Sequence, residues 1–206
     1  MHVGIVPINS RNYIEDHRFL TTFAPLVEQL GFESMWTFEH VIIPDEYESR
    51  YPYNPQGKIA VSGSDQFVDS LIALAWVAAC TERIRLGTGV NILSQTNPLY
   101  LAKQASSIDH LSGGRLMLGL GVGWLKEEFD ALNVPFDDRG PRADEYIDAM
   151  TQVWTGETVN FKGQFLDWHG FSMRPTPPRS PGCRSSSAAP AARPSAGSWP
   201  AVTAGT

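Results

Sequence analysis

The amino-acid sequence predicts an α/β protein of the (β/α)8 TIM-barrel class, with about the first four β/α units present and a β-hairpin insertion. Two observations lead to this prediction. Four short apolar segments alternate with helical segments, which is typical of a parallel sheet covered by helices. These segments end in glycine, proline or histidine, and parallel barrels place their ligands at the carboxyl ends of the strands. We therefore expect the functional residues just after the strands.

The best-marked part of the chain is residues 83–124, which predict one complete βαβ unit. Its first strand, 84–87, and its second, 115–120, are short and apolar, and glycine-rich turns follow both. Two parallel strands joined by a helix lie in one sheet, so the two turns should be neighbours. Glycines here either relieve crowding or let a ligand approach the backbone. They are Gly87, Gly89, Gly121 and Gly123.

The helix of this unit has clear signals at both ends. Asn97 is a good N-cap, and Pro98 fits the first helical position, where its missing N–H costs nothing. Apolar side chains then recur at helical spacing. Gly113 and Gly114 provide a C-terminal stop because glycine readily adopts positive φ. His110 falls in the last turn, where a histidine interacts favourably with the helix dipole.

Two further strands are predicted before this unit, over residues 2–7 and 32–37, with a helix over 17–30 between them. Phenylalanine, leucine and valine side chains share one face of this helix, and Gly31 ends it. Pro25 lies inside the helical pattern, so we expect a kink or a split there.

A long connection covers residues 41–65 and is rich in proline, glycine and tyrosine. A loop of this length inside a compact domain is usually functional or mobile. A helix over 67–80 should follow, with Ser64 or Asp65 as its N-cap. Its nearly all-round apolar character predicts burial on more than one face, with Trp76 in the core.

After residue 124 the sequence predicts a short polar helix over 125–132 and a second helix that begins near Pro141 and ends at Gly156. Residues 158–161 and 164–168 then alternate in polarity around a lysine-glycine turn. This pattern indicates an antiparallel hairpin inserted into an otherwise parallel arrangement of strands.

The last part of the chain changes abruptly in composition. We assign residues 1–172 to the N-terminal half of a barrel and residues 173–182 to a proline-rich linker. Residues 183–206 contain no acidic residue and are rich in alanine, serine and proline, so we expect disorder there. Our hypothesis is a truncated, frame-shifted product whose continuation would supply the remaining strands; the alternative is a natural disordered tail.

The composition limits which classes of binding partner and which cellular location we expect. The net charge of −6, with no lysine or arginine cluster, argues against nucleic acid or an anionic membrane surface and favours a small-molecule partner. The longest apolar stretch, 71–80, is too short to span a bilayer, and no leader is recognisable, so we expect a cytoplasmic protein. Cys80 and Cys183 are interpreted as incidental thiols, and no metal site is expected.

Four ordered motifs lie in residues 30–36 with Glu39-His40, in residues 83–90, in residues 111–115 and in residues 118–124. At matching spacing, these motifs resemble the luciferase-like monooxygenase superfamily over roughly residues 1–182. The nearest branch is similar to the deazaflavin-dependent oxidoreductases that use coenzyme F-420. The resemblance implies a (β/α)8 barrel that transfers a hydride between this deazaflavin and a small organic substrate. An FMN-dependent monooxygenase is the alternative.

The resemblance also implies a set of site residues. His40 matches the family position at the end of the second strand that serves as an acid/base or as a hydrogen-bond donor near the ring, and imidazole suits proton exchange near neutral pH. The Gly89–Val90 bond matches a non-proline cis peptide that supports the cofactor ring. The implied cofactor-binding residues are Glu39, Thr88, Gly89, Val90, Asn91, Gly121, Val122, Gly123 and Trp124.

Two departures from the family pattern limit what the resemblance implies. Trp124 stands where one sugar-phosphate-oxidising branch has a catalytic glutamate, which argues against that reaction. Family residues that hold the cofactor phosphate come from later strands, so a catalytically inactive fragment is an alternative of another class.

The glycine pattern that ends at Gly123 also favours a nicotinamide-binding interpretation, but it lacks the required third glycine. An open sheet would leave two edges unpaired, which favours either aggregation or pairing with a second copy as a homodimer.

Overall fold

The computed structural model describes residues 3–6 and 16–178, and the fold is stated for these residues. Strands and helices alternate through most of this range, as the sequence predicts. The strands are β1 (Gly4–Ile5), β2 (Ser34–Thr37), β3 (Arg85–Thr88), β4 (Asn91–Ile92), β5 (Leu116–Met117), β6 (Leu120–Gly121), β7 (Val159–Lys162) and β8 (Asp167–Phe171). The α-helices are α1 (Phe19–Gln29), α2 (Ser70–Cys80), α3 (Pro98–Leu111), α4 (Lys126–Ala131) and α5 (Arg139–Trp154).

The central sheet has the order β1-β2-β3-β5, and all of its pairings are parallel. Its side chains form the core together with the helices: Met35, Leu86 and Leu116 are all 0% exposed. The predicted βαβ unit is confirmed, because β3 and β5 are neighbours joined through α3. The carboxyl ends of β2, β3 and β5 therefore meet at one edge of the sheet.

The predicted strand over 115–120 is wrong as a single strand, because it is divided into β5 and β6. β6 pairs with β4, which extends the ladder formed by β5 and β3. Three residues, 88–90, lie between the two ladders on the side of β3 and β4. Two residues, 118–119, lie between them on the side of β5 and β6. The extra residue interrupts the ladder next to the Gly89–Val90 bond.

Helix α3 has the predicted ends. The Asn97 side chain accepts hydrogen bonds from the backbone N–H groups of Leu99 and Tyr100 at 3.0 and 3.3 Å. Beyond the helix, Gly113 and Gly114 have φ values of +72° and +84°. These residues favour the positive φ that ends a helix, so local sequence determines both boundaries.

Helix α1 is not split at Pro25, because it is one continuous helix with the proline inside. Proline removes one backbone hydrogen bond, but Leu20, Ala24 and Val27 are buried on the apolar face and hold the segment against the sheet. Gly31 ends the helix with φ of +82°, as predicted.

Helix α2 begins later than predicted. Its N-cap is Asp69, whose carboxylate accepts from the backbone N–H of Ile72 at 2.8 Å, in place of Ser64 or Asp65. The predicted place of Trp76 in the core is also wrong, since Trp76 is 53% exposed. The indole N–H of Trp76 donates to the Thr21 hydroxyl, which satisfies its polar atom at the surface.

The hairpin after α5 is confirmed as antiparallel, formed by β7 and β8. Glu145 of α5 holds its turn, because the carboxylate accepts from the backbone N–H groups of Gln164, Phe165 and Leu166. Residues 173–178 contain no strand or helix, while the rest of the predicted linker and the whole predicted tail lie outside the described residues. No helix in the described part of the chain is long and apolar enough to cross a membrane.

Candidate active site

A cavity of about 370 Å³ lies at the carboxyl edge of the central sheet. Segments that directly follow β2, β3 and β6 form its floor, and the long loop between β2 and α2 forms a wall. The lining residues are Phe38, Glu39, His40, Tyr51, Tyr53, Ile59, Ala60, Val61, Gly89, Val90, Ile92, Gly123, Trp124 and Glu128. The volume falls in the range of about 300–1,000 Å³ that is typical of small-molecule sites.

Glu39 lies at the floor of the cavity. Its carboxylate accepts from Asn91 Nδ2 at 2.5 Å and from the Ile92 backbone N–H at 3.3 Å. Burial raises the pKa of Glu39 to about 7, and these two hydrogen bonds offset only part of that effect. Glu39 is therefore a carboxyl group that can gain or lose a proton near neutral pH.

His40 is paired with a glutamate from a distant part of the chain. Its Nδ1 lies 3.2 Å from Oε2 of Glu128, and both side chains are almost fully buried. A carboxylate beside Nδ1 favours the tautomer with the proton on that nitrogen. The pair therefore fixes the orientation of the imidazole ring in the cavity wall.

The Glu128 carboxylate makes further contacts that hold the start of the long loop. Its Oε1 accepts from the backbone N–H groups of Val41 and Ile42 at 2.6 and 3.2 Å, and its Oε2 accepts from Gln95 Nε2. Burial raises the pKa of Glu128, but the contacts with His40, Gln95 and the loop backbone outweigh this effect and lower it. Glu128 is thus held as a carboxylate.

The adjacent residue, Glu127, holds a later part of the same loop. Its Oε1 accepts from the backbone N–H groups of Glu48 and Ser49 at 2.7 and 3.1 Å. Partial burial raises the pKa of Glu127, but the hydrogen bonds from Ser49 and the backbone outweigh it and lower the pKa to about 2. The first turn of α4 therefore fixes the loop at two points.

Aromatic rings form one side of the cavity. Trp124 makes edge-to-face contacts with His40 and Tyr47, with ring centroids 6.1 and 5.8 Å apart. Its ring is also 5.1 Å from that of Tyr51, which in turn contacts Tyr53 at 5.5 Å. The tyrosines of the long loop thus extend the aromatic surface that begins at Trp124.

The glycines of the site serve mainly to let the chain pack against itself. A Cβ on Gly87 would lie 2.4 Å from the Trp36 ring, and one on Gly121 would lie 2.5 Å from Val90. Gly123 has φ of +78°, which favours glycine. A Cβ on Gly89 would meet only ordinary contacts, and the Gly89–Val90 bond is cis, as the resemblance implies.

The structure brings together part of the residue set derived from the sequence. Glu39, His40, Gly89, Val90, Gly123 and Trp124 line the cavity. Thr88 and Asn91 lie behind it: the Thr88 hydroxyl donates to the Gly119 carbonyl oxygen, and Asn91 supports Glu39. Gly121 and Val122 are also outside the lining; the Val122 carbonyl oxygen accepts from Ser94 Oγ.

Sequence reasoning missed Glu128; it predicted that the long loop is functional or mobile but did not assign any loop residue to the site. Glu128 lies 88 positions from His40, so no local pattern reveals their contact. One usable signal was present: two adjacent glutamates in the first turn of a short helix just after a glycine-rich turn. The three tyrosines of the loop were a second signal.

Comparison with known proteins identifies the family. A family model for luciferase-like monooxygenases matches residues 4–198. The chain belongs to the luciferase-like monooxygenase family. Within this family, an uncharacterized protein of Mycobacterium tuberculosis is 33% identical over 162 residues, which are 79% of this chain and 56% of the relative. The FMNH(2)-dependent dimethylsulfone monooxygenase of Pseudomonas putida is 30% identical over 58% of this chain and 33% of that enzyme.

Solved structures show the same fold. The monooxygenase RslO1 from Streptomyces bottropensis superposes with a TM-score of 0.65 at 29% identity, over 85% of this chain and 49% of that one. The coenzyme F420-dependent tetrahydromethanopterin reductase of Methanopyrus kandleri, at 20% identity and a TM-score of 0.58, shares the fold over 84% of this chain and 45% of its own. The predicted TIM-barrel class is thereby confirmed. The chain spans about half the length of RslO1 and of the mycobacterial relative.

Proposed function

We propose that the cavity binds the planar ring of a deazaflavin or flavin, and that the enzyme transfers a hydride between this cofactor and a small organic substrate. The observation that carries the proposal is the cavity itself, which is formed by the segments after three neighbouring parallel strands. Ligands of α/β barrels bind at this edge of the sheet. Membership of the luciferase-like family supports the same reaction class.

The described residues fit the ring of such a cofactor. Gly89 and Gly123 add no side chain to the floor, and Val90 presents a partly exposed apolar surface beside them. Glu39 offers a carboxyl group at the floor, and Asn91 behind it has a buried side-chain oxygen with no hydrogen-bond partner. A flat heterocycle with polar edges matches this combination of apolar surface and a few polar groups.

The fit does not extend to a phosphate-bearing tail. Among the described residues that line the cavity there is no lysine or arginine. A phosphate group needs such cations or several convergent backbone N–H groups. The proposal for these residues is therefore limited to the ring.

His40 is the residue we propose for proton exchange with substrate or cofactor. The Glu128 contact favours a proton on Nδ1, which leaves Nε2 as the nitrogen that would exchange a proton. The cofactor, when bound, supplies hydride chemistry; the protein orients it and excludes water. Burial of the His40 and Glu128 side chains supports such exclusion on this side of the cavity.

Coenzyme F-420 is the first proposed cofactor because the sequence motifs resemble that branch, and FMN is the second. Two comparisons support one candidate each: the Methanopyrus reductase is named as dependent on coenzyme F420, and the Pseudomonas enzyme as dependent on FMNH(2). Both cofactors carry a tricyclic ring of the same outline, so we propose that the cavity binds one of the two.

Fluorescence titration of the purified chain with F-420, and separately with FMN, tests the proposal. We expect saturable binding of at least one, with a dissociation constant below about 100 μM. Trp124→Ala should weaken it, whereas Trp76→Ala, a change to a half-exposed tryptophan outside the cavity, should not. Failure of the folded chain to bind either compound would contradict the proposal and favour the inactive-fragment alternative.

A further inference from the structure

We propose, on the basis of the proposed function, that the substrate is an uncharged aromatic molecule and that the long loop provides its binding wall. The cavity has two unlike sides. The strand-end segments provide small residues and polar groups, which suit the cofactor ring. The loop provides Tyr51, Tyr53, Ile59, Ala60 and Val61, which present aromatic and aliphatic surface to the same space.

The aromatic side chains have a geometry that accepts one more ring. Trp124, Tyr51 and Tyr53 form a continuous series with centroid distances of 5.1 and 5.5 Å and interplanar angles of 60° and 74°. Aromatic rings prefer such tilted or edge-to-face contacts over face-to-face ones. Tyr53 is 74% exposed, so the end of the series has unused aromatic surface.

The charges around the cavity disfavour an anionic substrate. The ionisable residues of its lining are Glu39, His40, Glu128 and the two tyrosines, and no lysine or arginine joins them among the described lining residues. Lys58 lies in the loop, but its ammonium group donates to the Tyr47 carbonyl oxygen and lies over the Tyr47 ring. A buried anion without a cationic partner is costly to desolvate, so a carboxylate or phosphate substrate would bind poorly.

The loop wall is held in place before any ligand arrives. Glu128 accepts from the backbone N–H groups at its start, and Glu127 accepts from those of Glu48 and Ser49. Within the loop, the Tyr47 hydroxyl accepts from the Ile59 backbone N–H, which joins its two halves. Preorganised walls reduce the entropy lost on binding and raise selectivity for ligand shape.

Calorimetric titration with two probes of nearly equal shape tests the inference. Naphthalene-2-carboxamide is neutral at pH 7.5, and naphthalene-2-carboxylate is its anionic counterpart. We expect the carboxamide to bind at least about tenfold more tightly than the carboxylate. Trp124→Ala should weaken carboxamide binding, and Trp76→Ala should leave it unchanged.

A charge-reversal variant makes the test specific to the loop wall. Ile59→Lys introduces a cation there and should improve carboxylate binding about tenfold. Ile72→Lys, at a 63% exposed position on α2, is the matched control and should leave carboxylate binding unchanged. Equal binding of the two probes by the wild type, or carboxamide binding that Trp124→Ala does not weaken, would overturn the inference.

The outcomes separate this inference from the function on which it rests. If the chain binds FMN or F-420 but has equal affinity for the two probes, the proposed function is supported and the proposed substrate class is contradicted. Absence of cofactor binding, with the carboxamide still preferred, contradicts the proposed function while the chemical preference of the cavity stands.

Discussion

At the level of single residues, Glu39 has the most unusual environment in the site. It is a carboxyl group at the floor of an otherwise largely apolar cavity, and the hydrogen bonds from Asn91 and Ile92 do not offset the cost of ionising it. The aromatic and aliphatic residues around it lower the local polarity, which is why its pKa rises to about 7. Because the pKa of Glu39 is shifted in the folded state, its ionisation should be detectable in the pH dependence of the free energy of unfolding.

The pH dependence of folding should report the ionisation of Glu39. Its pKa is raised in the folded state, so its contribution to stability is fully present below the ordinary glutamate pKa. That contribution is lost as the pH rises through about 7. Relative to Glu39→Gln, the wild type should lose on the order of 3 kcal/mol of unfolding free energy between about pH 4.5 and pH 8. Urea unfolding at several pH values measures this difference.

Glu46→Gln is the matched control for this prediction because Glu46 is an exposed residue of the long loop. Its pH profile should follow that of the wild type. Parallel profiles for the wild type and Glu39→Gln across this pH range would show that burial does not perturb Glu39.

At the level of elements, the link between α4 and the long loop controls the shape of the site. Four glutamates act in the same way: Glu28, Glu127, Glu128 and Glu145 each lie in a helix and accept from backbone N–H groups of a nearby irregular segment. Each satisfies donors that no strand or helix would satisfy. Irregular segments are thereby fixed to regular ones without additional secondary structure.

Loss of one loop contact should open the loop to proteolysis. Glu127→Gln replaces a carboxylate that accepts from Glu48 and Ser49, and an amide accepts these hydrogen bonds less strongly. A loss of about 1 kcal/mol would raise trypsin cleavage after Arg50 and Lys58 about fivefold, because cleavage follows the population of the open loop. Mass spectrometry of the fragments at pH 8 measures the rates.

Asp130→Asn provides the control in the same helix, since Asp130 pairs with the exposed Lys126 and does not contact the loop. Its cleavage rate should equal that of the wild type. An unchanged rate in Glu127→Gln would mean that the other contacts hold the loop by themselves.

The range of each interaction along the chain explains which elements the sequence could predict. The ends of α3 and the stop at Gly31 depend on residues within one helical turn, and their sequence signals were reliable. The start of α2 was misplaced because the prediction put its cap at Ser64 or Asp65, whereas the side chain that accepts from the helix backbone is that of Asp69. The contact of His40 with Glu128 spans 88 positions and depends on how the sheet brings β2 and β6 together. No local pattern contains that information.

At the level of the whole molecule, the central sheet has two outer strands. Within the described residues β1 pairs only with β2, and β5 pairs in this sheet only with β3. Unpaired strand edges present backbone N–H and C=O groups that can pair with another chain. Next to β1, the side chains of Val3 and Val6 are 39% and 56% exposed, so an apolar surface accompanies that edge.

We predict that copies of the chain associate through this edge as a homodimer. Sedimentation velocity of the wild type should show an average mass that rises with concentration over about 1–100 μM. Val6→Lys should shift the distribution towards monomer, because a charged side chain at a sheet edge opposes edge-to-edge pairing. Leu111→Lys, at an 82% exposed position at the end of α3, is the control and should associate like the wild type. A wild-type mass that stays at one monomer over the whole range, or equal effects of the two lysines, would show that the β1 edge does not mediate association.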